Sequence, residues 1–304
     1  MSGKTKLSIA ASVFTGVAAV ALYVFAIAPH RQAPEVWANT VAPDLTNGKR
    51  IFFAGGCASC HAAPNASGDA RLLLTGGVTL KTQFGTFHAP NISPDPKAGI
   101  GNWTLAEFGD ALTRGIGRKG ENLYPAFPYT SYSRMKPQDV ADLFGYIKSL
   151  APSPNVAPPH ELGFPFNQRL LLTGWKWLYL NDKPRVTLAN ADEEVRHGQY
   201  LVEGPGHCGE CHTPRNAIGG LQTANWLAGG PNPEGEGRVP DITPGSDTIG
   251  KWSKDEIASY LESGFTPDFD SVGGSMVEVQ KNMAELPASD RAAIAAYLKA
   301  IPAK

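Results

Sequence analysis

Cys57-Ala58-Ser59-Cys60-His61 and Cys208-Gly209-Glu210-Cys211-His212 are two copies of one five-residue pattern, and together they use all 4 cysteines of the 304-residue chain. Two thiols one helical turn apart can form thioethers with the two vinyl groups of a single haem, and the adjacent histidine can reach its iron. The pattern therefore predicts two covalently bound haem c groups, held by Cys57, Cys60, Cys208 and Cys211, with His61 and His212 as proximal ligands. A four-cysteine zinc site would leave both histidines without a role and would join pairs far apart in the chain. A thioredoxin-like dithiol needs a βαβ setting, and neither flank alternates like a strand. Haem attachment leaves no thiol for a disulfide.

Working outward, the surroundings of the two motifs repeat. Gly48-Lys49-Arg50-Ile51-Phe52 leads into the first, and Gly198-Gln199-Tyr200-Leu201-Val202 into the second. Pro90-Asn91-Ile92-Ser93-Pro94 follows His61 much as Pro240-Asp241-Ile242-Thr243-Pro244 follows His212. Next come Ile100-Gly101-Asn102-Trp103-Thr104 and Ile249-Gly250-Lys251-Trp252-Ser253. Each half then opens a helix with a capping box, Thr104 with Glu107 and Ser253 with Glu256. Each closes with an amphipathic helix, faced by Val140, Leu143, Phe144 and Ile147 in one and by Ile294, Tyr297, Leu298 and Ile301 in the other. The expectation is an all-α pair of tandem haem domains at 44–151 and 190–304. A proline-rich linker and a Leu- and aromatic-rich connector helix over 152–189 join them.

Residues Leu7 to Ala28 are uncharged and mostly apolar, behind Lys4 and Lys6. At a rise of roughly 1.5 Å per residue the stretch can reach across a bilayer core of about 30 Å. Ala26-Ile27-Ala28 resembles a signal-peptide cleavage site, but Pro29 would hinder the peptidase. Residues 1–30 are thus expected to be a cytoplasmic tail and transmembrane anchor in a bacterial inner membrane, with the haem domains in the periplasm. The 27 basic and 28 acidic residues make no electrostatic case for nucleic acid.

The sixth iron ligand decides the chemistry. Thioether sulfur stabilises ferrous iron and raises the potential, so His/Met pairs suit electron carriers. Met276, in the loop Gly273-Gly274-Ser275-Met276, is the expected distal ligand of the second haem, with Met283 the rival and more a packing residue. For the first haem, the repeat puts Phe127 roughly where Met276 sits, and phenylalanine cannot ligate iron. Met135 is then the candidate, with His88 or no strong ligand as alternatives.

The run from Phe84-Gly85-Thr86-Phe87 through Asn91-Ile92-Ser93-Pro94-Asp95 resembles the dihaem cytochrome c family related to the cytochrome subunits of membrane-bound alcohol and gluconate dehydrogenases. So do Gly99–Thr104, Tyr124–Tyr132 and the stretch from Tyr200 through Asn216. The likeness covers nearly everything from about residue 44 onward. It departs in having two haem motifs where those subunits usually carry three, and Phe127 where many have methionine. It implies class I cytochrome c-like domains and an electron relay rather than an enzyme. The implied donor is a periplasmic dehydrogenase subunit, and the acceptor quinone, an oxidase or another cytochrome. The rival expectation is a dihaem enzyme of peroxidase or thiosulfate-oxidising type with one open haem.

Overall fold

The computed structural model describes residues 30–304 except Glu234. A short helix α1 (Pro34–Ala38) precedes α2 (Leu45–Ala54), the first haem-motif helix α3 (Cys57–His61), α4 (Leu105–Arg114), α5 (Tyr129–Tyr132) and α6 (Pro137–Ser149). The connector helix α7 (Leu171–Tyr179) leads to α8 (Glu193–Glu203), the second motif helix α9 (Gly209–His212), α10 (Lys254–Ser263), α11 (Met276–Met283) and α12 (Ala288–Ala300). The non-helical additions are two antiparallel ribbons, β1 (Thr79–Thr82) with β2 (Gly85–His88) and β3 (Gly230–Pro231) with β4 (Arg238–Val239). Strands this short carry too little alternation to be read from sequence.

The expected transmembrane helix is corrected. Among the described residues no helix is long and apolar enough to cross a membrane. The longest, α6 and α12, have 13 residues each, about 20 Å against a bilayer core of about 30 Å. The stretch Leu7–Ala28 itself lies outside the described residues.

Within each half the first and last helices cross at a glycine. A Cβ on Gly48 would overlap the Asp142 carbonyl of α6, and one on Gly198 would overlap the Ala293 carbonyl of α12. Beside these crossings lie Tyr146 and Tyr297, with Ile51, Phe52, Val140 and Ile147 from one half and Leu201, Val202, Ile294 and Leu298 from the other in one continuous buried cluster. Both capping boxes form: Thr104 accepts from the Glu107 amide and Ser253 from the Glu256 amide, each at 3.2 Å. They start α4 and α10 by satisfying amides that have no partner inside the helix.

Helix α7 lies with its polar residues inward. Lys176 donates to the Gly115 carbonyl at 2.6 Å and to Asn122 Oδ1 at 2.8 Å, and Thr173 bonds Asn122. On the domain-two side Trp175 Nε1 donates to the Ile218 carbonyl at 2.8 Å and Asn216 donates to Tyr179 Oη at 2.9 Å. Leu171, Trp177 and Leu178 face outward. Burial pushes the Lys176 ammonium down to about 7. The unfolded chain keeps its ordinary lysine pKa, so between pH 7 and about 10 it binds more protons than the folded one. Stability should therefore rise with pH across that window, by at most ~1.4 kcal/mol per pH unit from this group. Lys176→Met should remove that rise, as read from urea unfolding at pH 6.5, 8 and 9.5. Equal pH slopes for the two proteins would contradict it.

Candidate functional site

Each motif helix follows the same left-handed turn, at Gly56 (φ 56°) and His207 (φ 39°). Histidine tolerates this region better than most residues. Here its Nδ1 lies 2.9 Å from the Pro205 carbonyl and its ring packs edge-on to Tyr132. That contact turns His207 away from its own motif.

The two histidines expected as proximal ligands are held alike. His61 Nδ1 lies 2.8 Å from the Pro90 carbonyl, and His212 Nδ1 lies 2.8 Å from the Pro240 carbonyl. A carbonyl only accepts, so Nδ1 carries the proton in both rings and the Nε2 lone pair is left for a metal. Such a bond also fixes the ring plane and increases ligand basicity. Burial holds both imidazoles below their usual pKa, against the carbonyl bonds that raise it. Both are therefore neutral at pH 7, the form that ligates iron.

The carbonyls are themselves positioned. Asn91 Oδ1 accepts from the Ser93 amide at 2.8 Å, and Asp241 Oδ1 accepts from the Thr243 amide at 2.6 Å. These turns shape the Pro90 and Pro240 loops. The backbone of each motif closes onto the same frame through Gly76 N to the His61 carbonyl and Gly229 N to the His212 carbonyl, both 2.7 Å. The repeated Pro-x-Ile-x-Pro runs were visible in the sequence, but their role as histidine partners was not, because it lies in a main-chain oxygen.

Burial pushes the Cys57 thiol up to about 12 and the Cys208 thiol up to about 11. No cysteine is in a disulfide. Cys57 and Cys208 are therefore not the low-pKa thiols that a dithiol oxidoreductase needs. Among the described residues no three His, Cys, Asp or Glu side chains cluster as a metal site. Two thiols beside a neutral, carbonyl-held imidazole fit covalent haem in both halves.

The distal candidates sit in unlike surroundings. Met276 is half-buried at the first turn of α11 and packs against the core. Met283, at the other end of α11, is buried. Met135 is buried in the turn before α6, its amide donating to the Tyr132 carbonyl at 2.9 Å. Leu286 makes the corresponding bond to the Met283 carbonyl before α12, so the repeat places Met135 opposite a leucine. Phe127 packs on Tyr132, ring centroids 5.7 Å apart. His88 ends β2, its Nε2 3.4 Å from Glu161, two residues from the Pro90 carbonyl that holds His61. That loop belongs to the proximal side.

The cytochrome c family matches residues 45–151. A "Diheme cytochrome c-type" protein of Cereibacter sphaeroides is 55% identical over 275 residues, covering 90% of this chain and 91% of that protein. The fructose dehydrogenase cytochrome subunit of Gluconobacter japonicus is 35% identical over 88% of this chain and 54% of its own length. The cytochrome c subunit of the quinone alcohol dehydrogenase of Gluconobacter oxydans is 36% identical over 85% of this chain and 55% of its own length. This chain thus spans about half of those two subunits. With both carbonyl-held histidines and all four thiols in place, it belongs to the dihaem c-type cytochromes, electron-transfer proteins rather than enzymes, and carries two covalently bound haem c groups.

Proposed function

We propose that this cytochrome relays single electrons from a periplasmic dehydrogenase subunit toward the respiratory chain, with quinone, an oxidase or another cytochrome as acceptor. The observation that carries the reading is the duplicated proximal frame, His61 on Pro90 and His212 on Pro240. The dehydrogenase cytochrome subunits among the relatives support the class of donor. When bound, haem supplies a one-electron couple. The chain's part is to fix the imidazoles, exclude water and set the surrounding charge.

Met276 and Met135 are the proposed distal ligands, and export to the periplasm is part of the same reading. Reduced protein exposed to carbon monoxide tests the ligands. Six-coordinate iron at both haems should leave the optical spectrum nearly unchanged. Full binding at one haem would remove the distal methionine there, first of all Met135. Periplasmic release of haem-loaded protein, against retention with cytoplasmic markers, tests the compartment. Reduction of the purified protein by a co-purifying dehydrogenase and its substrate tests the donor, and failure there would set the relay from that class of enzyme aside.

A further inference from the structure

Each haem-motif helix is gripped by the opposite domain. Helix α5 of the first domain lies on the second motif. Thr130 Oγ1 and Ser131 Oγ donate to Glu210 Oε1 at 2.9 and 2.6 Å, and the Tyr132 ring meets the His207 ring at 5.4 Å. The other oxygen of this buried Glu210 accepts from Arg215 at 2.6 Å. Helix α11 of the second domain lies in return on the first motif. Asn282 Nδ2 donates to Ser59 Oγ at 2.7 Å, and Arg71 donates to Asn282 Oδ1 at 2.9 Å. Ser59 and Glu210 occupy the same place, between the two cysteines. The sequence offset that relates His61 to His212 also relates Ser131 to Asn282. Two more residue pairs bond across the same boundary. Arg50 of α2 clasps the Asp290 carboxylate at 2.5 and 2.6 Å, and Tyr200 of α8 donates to Asp139. Burial alone would raise Asp290, but Arg50 and His197 hold it below the usual carboxylate range.

We infer that the two haem sites are coupled crosswise: Asn282 is a positioning residue for the first haem, and Thr130 and Ser131 are positioning residues for the second, acting through Glu210. The residues between the cysteines belong to the helical turn that carries both thioethers and the proximal histidine. A hydrogen bond or charge there bears on the iron through ligand orientation and local field, the means by which a protein tunes a haem potential. A carboxylate held beside the second haem favours its ferric state, and the two hydroxyls and Arg215 temper that charge. Because Met135 and Met276 lie in the same segments as the straps, movement on the distal side of one haem is transmitted to the attachment turn of the other. The inference rests on the relay reading only in requiring two bound haems. It needs no donor.

The test uses full-length holoprotein, with redox titration followed by haem-methyl NMR and each haem assigned through contacts to its own domain. Asn282→Ala should move the potential and methyl shifts of the first haem and leave the second at its parental value. Ser59→Ala, which removes the same bond from the other end, should reproduce that shift should the first variant fold poorly. Thr130→Val with Ser131→Ala should lower the potential of the second haem alone, and Ser131→Thr, which keeps a hydroxyl, should restore it. For the Asn282 and the Thr130/Ser131 variants, shifts confined to the haem of the mutated domain, equal shifts at both haems, or none at all would overturn the coupling and leave the relay standing. A haem content below two per chain in the parent would overturn both.

Discussion

Met276→Ala should lower the potential of the second haem by on the order of 0.1 V or more, a modest part of the ≈0.8 V over which axial ligands set haem potentials. The covalent link should be untouched, since Cys208 and Cys211 are the thiols proposed to carry it. Loss of the thioether removes a soft ligand that favours ferrous iron and leaves only His212, held by Pro240, on the other face. The same protein should gain carbon monoxide binding at one haem and keep a haem content of two per chain. A titration indistinguishable from the parent would refute Met276 as ligand and turn attention to Met283, buried at the other end of α11.

Gly198→Val should cost about 3 kcal/mol or more, the upper end of what overpacking a tight core produces. Even a Cβ there overlaps the Ala293 carbonyl and comes within 2.9 Å of the Tyr297 side chain. Tyr297 cannot give way cheaply. Its hydroxyl donates to the buried Glu203 at 2.6 Å and accepts from Trp226 at 3.1 Å, so pushing α12 outward strands several polar groups. Gly48→Val should cost less, because Tyr146 at the equivalent crossing carries no such buried network. Thermal unfolding followed at the two haem signals separates the domains. Equal midpoints for both variants and the parent would show that the crossings tolerate a side chain.

Where chemistry runs along a few consecutive residues, the sequence was a sufficient guide. Both capping boxes formed as read, since a side chain reaching an amide three positions on is a local event. The amphipathic faces also hold, with Val140, Leu143 and Ile147 buried on α6 and Ile294, Tyr297 and Leu298 on α12. The apolar pattern misleads at α7. Lys176 and Thr173 turn inward to Gly115 and Asn122 while Leu171, Trp177 and Leu178 stay outside. The helix meets polar loop atoms of the first domain, and partners rather than hydropathy choose which face is covered. Met135 illustrates a different limit. Counting residues back from α6 marks it as the available methionine, and only the folded repeat shows it standing opposite Leu286.

By itself the sequence determined that two haems are bound, and it assigned the four thiols and His61 and His212 as the residues proposed to hold them. That assignment is written in five consecutive residues whose geometry is that of a single helical turn. Only the tertiary structure decided that Pro90 and Pro240 orient the imidazoles, and that Asn282 reaches Ser59 while Thr130 and Ser131 reach Glu210. These are bonds between groups far apart in the chain, some of them main-chain atoms with no identity in the sequence. The bonds of Asn282, Thr130 and Ser131 exist because packing the two domains buries polar groups that must find partners across the interface.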